Sequence, residues 1–236
     1  MTSDVNMEGS VDRLSSGQQA PQQKRVLIMT AVQAERDAVL RGLNGDSRFD
    51  VLIAGVGPVA AAVATATVLA SADYGLVVSA GIGGGFAGQA GVGTLAVANE
   101  IVAADLGAQT PEGFSSLDEL GFGFTRIQAD ANLAGRLTGA LQAAGLPVTA
   151  GPVLTLSTVT GTAETASELA ARVPGATAEA MEGFGVAAAA HARGVPVLEI
   201  RAISNPVGPR DREAWRIGDA LKALEAASSV FVEVLV

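Results

Sequence analysis

The sequence predicts an α/β fold: a single-domain, three-layer α/β/α arrangement around a central mixed, mostly parallel sheet. Three observations predict it. Short apolar runs alternate with alanine-rich helical segments at the interval of βαβ units, which implies right-handed crossovers. Several of these runs end in glycine or polar turns, where α/β sheets gather their ligands. The 236 residues, 49% of them apolar, suit one large domain, because folds of this class often reach that size undivided.

Val26-Leu27-Ile28-Met29-Thr30 has the pattern of a short buried strand, followed by a helix over Ala34 to Leu43 with its charges on one side. Asp50 to Ala54 forms the second strand. Gly55-Val56-Gly57 then turns into an alanine-rich helix, with Pro58 suited to its first turn, that runs to about Ser71. Tyr74 to Ser79 is the third strand and ends at the glycine run Gly81 to Gly85. The rhythm then breaks. Gly93 to Ala104 reads as a longer strand and Leu106 to Gly123 as a loop, before helix resumes over Asp130 to Ala144. Strands follow at Val148 to Thr155, Thr177 to Ala180 and Val197 to Ile203. Helices are expected at Ala163 to Arg172, Met181 to Ala192 and Arg212 to Val234. Residues 1–24 are rich in Ser, Gln and Gly and lack an apolar signal core; they read as a disordered N-terminal tail, leaving residues 25–236 as the folded domain.

Composition excludes several functions. A net charge of −9 argues against nucleic acid or an anionic membrane as partner, since both require a basic footprint. No apolar run escapes interruption by glycine or charge, so no membrane span and a cytoplasmic location are expected. With no cysteine, disulfides, thiol nucleophiles and cysteine-type zinc sites are ruled out. The lone histidine, His191, falls late in a helix where the dipole favours a cation, and reads as structural. No metal is expected. With aromatics at 4%, the core should consist of closely packed small side chains.

The glycine motifs have competing readings. Gly55-Val56-Gly57-Pro58-Val59-Ala60 follows a strand and opens a helix, as a dinucleotide fingerprint does. It lies on the second strand rather than the first, however, and no acidic residue ends the next strand. The other reading is a glycine turn that lets the backbone pass close to a neighbour. Gly81 to Gly85 lacks the Lys-Ser/Thr of a phosphate loop. It either exposes backbone N–H groups to a ligand or makes only a tight turn.

Two polar groups past the ends of consecutive core elements carry the functional signal. Glu182 stands where a strand turns into an alanine-rich helix, in Glu179-Ala180-Met181-Glu182-Gly183, and Asn205 closes Val197 to Asn205. A carboxylate that accepts two hydroxyl protons and an amide that donates and accepts suit a nucleoside. Glu182 also has a plainer reading: like Glu35, it stands in a first helical turn, where acids partner the helix dipole.

Together with Thr30-Ala31-Val32, Ala34-Glu35, Val159-Thr160-Gly161-Thr162 and Ser204-Asn205-Pro206-Val207-Gly208-Pro209-Arg210-Asp211, these segments resemble the nucleoside phosphorylase superfamily. They are most similar to its nucleosidase branch, which includes the methylthioadenosine/S-adenosylhomocysteine nucleosidases, and within that branch to the futalosine hydrolases. The resemblance covers about residues 25 to 236. It implies hydrolysis of the N-glycosidic bond of futalosine in the alternative menaquinone pathway, with release of hypoxanthine. Futalosine and water are the implied partners, without a cofactor, in a homo-oligomer (a dimer or higher).

By the same resemblance, Glu182 binds the ribose hydroxyls, Met181 lies against the sugar and Arg201 stands near the attacking water. Gly83, Gly84, Val159, Thr160 and Phe184 complete the substrate surface. Asn205 replaces the aspartate that adenine-specific nucleosidases place at the base. A carboxylate suits a 6-amino purine but faces the O6 lone pairs of a 6-oxo purine, whereas the asparagine NH₂ donates to N7 or O6. Aligned on Ala31, the water-activating glutamate falls on Gln33. Glutamine orients water but takes no proton, so Glu35, two residues later, is the candidate base. Arg210, Arg212 and Arg216 near Trp215, and Phe114, Phe122 and Phe124, are candidates for the benzoate end of futalosine.

Three alternatives stand beside this reading. A purine nucleoside phosphorylase needs several arginines near the glycine loop, where Arg36 is the one early candidate and Ile82 occupies the place of a small hydroxyl. A methylthioadenosine/S-adenosylhomocysteine or aminodeoxyfutalosine nucleosidase is disfavoured by Asn205. A non-catalytic purine-binding module would keep the fold alone.

Overall fold

The computed structural model describes residues 25–236; the expected tail, 1–24, lies outside the described residues. In chain order the elements are β1 (Val26–Thr30), α1 (Gln33–Leu43), β2 (Phe49–Ile53), α2 (Pro58–Ser71), β3 (Leu76–Gly85) and β4 (Leu95–Ala103). There follow β5 (Gly107–Thr110), β6 (Gly113–Ser116), α3 (Leu117–Leu120), β7 (Arg126–Gln128), α4 (Ala131–Ala143) and β8 (Val148–Thr155). The chain closes with α5 (Ala163–Arg172), β9 (Ala178–Ala180), α6 (Gly183–Ala192), β10 (Val197–Pro206) and α7 (Ile217–Val234).

Alternation along the strands builds the three layers. Val26 and Ile28 of β1 face a core shared with α1, α4 and α7. Leu27 and Met29 face the opposite core, made with α2 and α6. This is the period-two rule of a sheet covered on both sides. The sheet is mixed and mainly parallel: β1 pairs in parallel with β2 and β3, β3 with β10, β4 with β8 and β8 with β9. The pairs β10–β4, β3–β9 and β4–β7 are antiparallel. Because β3 pairs with β9 as well as β10, the strands β3, β10, β4, β8 and β9 close a ring at one end of the sheet.

That closure corrects the expectation for Gly81 to Gly85. The run is neither a loop nor a tight turn; it is the second half of β3, paired with β10 along its length and with β9 at Gly84 and Gly85. A Cβ on Gly85 would stand 2.0 Å from Ala90 O, and one on Gly83 2.7 Å from Glu179 O. Glycine is needed here for close approach of backbones on both sides.

Three other expectations change. The expected loop from Leu106 to Gly123 contains the hairpin β5–β6, turned at Pro111-Glu112, and the short helix α3. Its strands have four residues each, too few for alternation to register. β10 continues through Asn205 to Pro206, with a bulge between Ile203 and Asn205. α7 begins at Ile217 and not Arg212, because the Arg216 N–H donates to Ser204 O (2.8 Å) and ties the preceding turn to the end of β10.

The helix layer that carries Glu182 meets its neighbour through a glycine. A Cβ on Gly185 of α6 would lie 2.0 Å from Pro58 O at the start of α2. Gly185→Ala is therefore expected to destabilise the fold by about 1–3 kcal/mol, a typical result of overpacking. Thermal unfolding should show a lowered midpoint, and an unchanged midpoint would mean that α2 and α6 do not pack this closely.

Candidate functional site

Four elements end at one place. Glu35 is the third residue of α1, just past β1; Glu182 caps α6, just past β9; Arg201 and Asn205 lie on β10; and the glycine half of β3 runs beside them. The parallel register sets Arg201 beside Gly81 and Asn205 beside Gly84.

Arg201 is the centre of this arrangement and is 1% exposed. Its Nε donates to Glu199 Oε1 (2.8 Å), Nη1 to Glu182 Oε2 (3.2 Å) and Nη2 to Ser79 Oγ (2.9 Å). Burial alone would make the guanidinium easier to deprotonate, but the surrounding carboxyl groups of Glu199, Glu182 and Glu35 outweigh it and hold the proton more firmly than usual. Glu182 is fixed from a second side, where its Oε1 accepts the Gly57 N–H (3.2 Å). The glycine turn before α2 thus serves the site by backbone donation.

Glu35 is buried and its carboxylate accepts three backbone N–H groups. Oε2 takes those of Ala31 (2.8 Å) and Val32 (3.2 Å), and Oε1 takes that of Ile82 (2.9 Å). The Val32 bond fits the plain helix-start reading, but the Ile82 bond reaches across to β3 and brings the carboxyl to the site. Burial pushes Glu35 above the ordinary carboxylate value; Arg201 and the N–H donors pull it down in part, and Glu182 pushes it up again. Among the described residues Glu35 and Arg201 form no direct ion pair. They meet across Gly81 instead: a Cβ there would stand 2.6 Å from Glu35 Oε1 and 2.7 Å from Arg201 Nη1. Gln33 is elsewhere, on the exposed side of α1, donating to Asp37 Oδ1 (2.6 Å).

Asn205 is 7% exposed and follows the bulge, a device that re-aims side chains at the rims of sheets. Its Oδ1 accepts from Ser204 Oγ (2.8 Å) and its Nδ2 donates to Pro206 O (2.9 Å). One amide hydrogen and one carbonyl lone pair remain for a ligand. A Cβ on Gly84 would lie 3.2 Å from Asn205 Nδ2, so the glycine clears the space beside the amide.

Of the remaining expected residues, Thr160 is tied to Glu179 of β9, which pairs with Gly84. Thr160 is buried, and both its N–H (2.8 Å) and its hydroxyl donate to the Glu179 carboxylate, which burial pushes above its ordinary value. Val159 and Met181 are half-buried. The Phe184 N–H donates to Thr155 Oγ1 (2.8 Å), and its ring lies 6.2 Å from that of Phe124. The candidates for the benzoate end have separate partners. Phe114 lies under the Arg172 guanidinium at 4.1 Å, Phe122 is 80% exposed and Arg216 pairs with Asp219. Arg210 stays over Trp215 at 5.2 Å.

Sequence reasoning missed Glu199, Ser79 and Glu179. For Glu199 a signal existed: a carboxylate inside an apolar strand, two residues before an arginine, must share a face with it.

The model of the Phosphorylase superfamily matches residues 25–236, so the chain belongs to that superfamily. Within it, the chain is 52% identical over 230 residues to futalosine hydrolase of Streptomyces coelicolor (strain ATCC BAA-471 / A3(2) / M145), covering 89% of this chain and 96% of the relative. It is 49% identical over 214 residues to the futalosine hydrolase of Acidothermus cellulolyticus, covering 85% and 87%. The chain is thus a member of the futalosine hydrolase family. Its fold is that of futalosine hydrolase of Helicobacter pylori strain 26695 (TM-score 0.75, 17% identity, 90% of this chain and 97% of the other). It is equally that of the 5′-methylthioadenosine/S-adenosylhomocysteine nucleosidase of Neisseria meningitidis in complex with methylthio-immucillin-A (TM-score 0.74, 21% identity, 90% and 98%).

Gly81→Ala tests whether Glu35 and Arg201 depend on their close approach to β3. The added methyl should force both groups aside and lower kcat/KM by about 100-fold or more, as ångström-scale misplacement does. Steady-state kinetics on a variant with native circular dichroism checks this, and near-normal kcat/KM would show that the two groups tolerate separation.

Proposed function

We propose that this protein hydrolyses the N-glycosidic bond of futalosine, releasing hypoxanthine, and that Glu35, Arg201, Glu182 and Asn205 carry the reaction. The observation that favours hydrolysis over phosphorolysis is the saturation of Arg201. Its guanidinium is already bound to Glu199 and Glu182, with Glu35 beside it. A phosphate dianion entering here would meet an excess of carboxylates, whereas water and a developing cation would not. Arg36, the other early candidate, is turned to the carbonyl of Val51 (3.1 Å).

The chemistry is dissociative. As the glycosidic bond stretches, the ribose gains oxocarbenium character and the purine gains negative charge. Glu182 holds the 2′ and 3′ hydroxyls and its charge favours the cationic sugar, a type of stabilisation worth about 3–4 kcal/mol per well-placed group. Asn205 offers its free amide hydrogen as a hydrogen bond to the leaving base. The base departs as an anion and takes a proton from solvent water, to which Glu35 later returns the proton it accepts. Water held between Glu35 Oε1 and Arg201 Nη1 attacks the anomeric carbon, and Glu35, with its raised proton affinity, takes the water's proton. Met181, Phe184, Val159, Thr160, Gly83 and Gly84 shape the surface around sugar and base. A cytoplasmic location belongs to the proposal; among the described residues no helix is long and apolar enough to cross a membrane.

A homo-oligomer also belongs to it. The turn before α2 and its outer face expose Val56, Val59 and Val63 at 56%, 76% and 63%, an apolar stripe suited to a second copy. Sedimentation velocity should give a dimer or larger that Val59→Asp with Val63→Asp converts to a monomer; a monomeric wild type would remove this part of the proposal.

The activity is tested by incubating the protein with futalosine, inosine, aminodeoxyfutalosine and methylthioadenosine, with and without phosphate, and measuring the free base. Hypoxanthine should appear from futalosine at a phosphate-independent rate. No release from futalosine, or release that requires phosphate, would overturn the proposal. Asn205→Asp in the same panel should move the ratio of adenine to hypoxanthine release upward by about 100-fold, because a carboxylate mismatches O6 and matches the 6-amino group. An unchanged ratio would mean that Asn205 does not choose the base.

A further inference from the structure

We propose that Glu199 stores the proton of the buried charge cluster: its carboxyl is neutral in the resting protein and positions Arg201 as a neutral hydrogen-bond acceptor, not as a counter-ion. The proposal deepens the proposed function and rests on its assignment of Arg201 and Glu35 to the water, but its test needs no substrate.

Three carboxyl groups surround one guanidinium. Glu35, Glu182 and Glu199 are 3%, 7% and 0% exposed, and Arg201 is 1% exposed. With all four ionised, a desolvated volume would hold two uncompensated negative charges, a state that burial opposes strongly. One carboxyl must therefore keep a proton, and hydrogen bonding decides which, since donors aimed at a carboxylate favour its charged form.

Glu35 accepts three backbone N–H groups. Glu182 accepts the Gly57 N–H at one oxygen and Arg201 at the other. Among the described residues, Glu199 accepts only Arg201 Nε, at Oε1, and its Oε2 is buried without a hydrogen-bond partner. It is the carboxylate oxygen with the least to lose by taking the proton.

Among the described residues, the surroundings of Glu199 supply no further cation. α6 presents Gly183 and its cap Glu182; a Cβ on Gly183 would lie 2.1 Å from Glu199 Oε2, so the carboxyl is wedged against the backbone that carries Glu182. β3 sets Ser79 beside it in register, α1 contributes Glu35, and β4 faces this part of β10 with Leu95, Ala96 and Val97. No titratable residue lies on α2. Burial raises Glu199 above the ordinary carboxylate value; Arg201 lowers it in part and Glu182 adds to the rise.

A neutral Glu199 has a consequence for the reaction site. It orients the guanidinium through Nε without taking its charge, which stays available to Glu182 and Glu35. If Glu199 ionised, Arg201 would be drawn to it and the proton affinity of Glu35 would rise.

Glu199→Gln, a neutral isostere, separates the two states in the full chain without ligand. A carboxyl whose proton affinity is raised by folding contributes stability below its unfolded value, near 4.5, that is lost as pH rises through the folded value. Wild type should carry that loss and the variant should not. Their difference in unfolding midpoint should then move in favour of the variant by roughly 3–5 °C per pH unit above about pH 5. Infrared spectra at neutral pH should show a protonated-carboxyl carbonyl band in wild type that the variant lacks. A pH-independent midpoint difference, or a wild-type spectrum without the band, overturns the proposal. Should Glu199→Gln not fold, the band must survive in Glu35→Gln, Glu179→Gln and Glu182→Gln, and its disappearance in any of them places the proton there instead. Failure of hypoxanthine release would overturn the proposed activity and leave these readouts unaffected.

Discussion

The buried guanidinium of Arg201 is the interaction on which the rest of the site depends. It joins strand to strand through Ser79, strand to helix through Glu182, and its own strand to itself through Glu199. A charge at this depth is tolerable only if it is paired and hydrogen-bonded, and removing one partner of such a pair typically costs about 3–5 kcal/mol. The backbone is arranged accordingly. β3 carries glycine at Gly81, where a methyl would meet both Arg201 and Glu35, and α6 begins with Gly183, where a methyl would meet Glu199. Two of the chain's glycines are thus explained by the space that one arginine and its carboxylates occupy.

The ring of strands at the glycine end follows from the same crowding. β3 must lie close enough to β10 for Arg201 to reach Ser79, and close enough to β9 for Glu182 to reach Arg201. A strand with side chains along both edges would hold its neighbours off at two positions, Gly83 and Gly85, where a Cβ would strike Glu179 O or Ala90 O. The fold therefore gives up side-chain packing in half of one strand to draw three chain segments around the charge cluster. The two hydrophobic layers, with α1, α4 and α7 on one side and α2 and α6 on the other, compensate by burying both faces of the rest of the sheet.

Much of this was legible in the sequence where local physics and tertiary structure agree. β1, α2, β8 and α5 stand at their expected boundaries, because apolar runs, Pro58 and the threonine cap Thr162 act within a few residues. The glycine run was not legible, since glycine disfavours strands in isolation and only pairing on both edges makes it one. β5 and β6 were too short for periodicity to mark them. At the site, Glu182 and Asn205 were found because they end core elements, and Arg201 through the family resemblance of its segment. Glu35 was chosen over Gln33 on chemistry, and the structure brings Glu35 to Arg201 while Gln33 stays on the surface. Glu199 was passed over because a carboxylate inside an apolar strand has no motif; only its two-residue offset from Arg201 betrays it.

The charge balance of the cluster also bears on the order of events in the proposed reaction. A site with more carboxylates than cations is poor at holding an anionic nucleophile but well suited to a sugar that becomes positive before it is attacked. Bond breaking therefore gains more from this environment than bond making does, and the water needs only to be oriented until the oxocarbenium character has formed. Glu35, held by three backbone N–H groups, is more rigid than a mobile base would be. Rigidity is acceptable if deprotonation comes late, when the attacking water has become acidic through its partial bond to carbon. Asn205 completes the logic at the other end. As a neutral amide it adds no negative charge near the purine as the base becomes anionic, so the carboxylates stay on the sugar side and the hydrogen-bond donor on the base side. The separation of charge that the bond must develop in breaking is thus already laid out in the side chains.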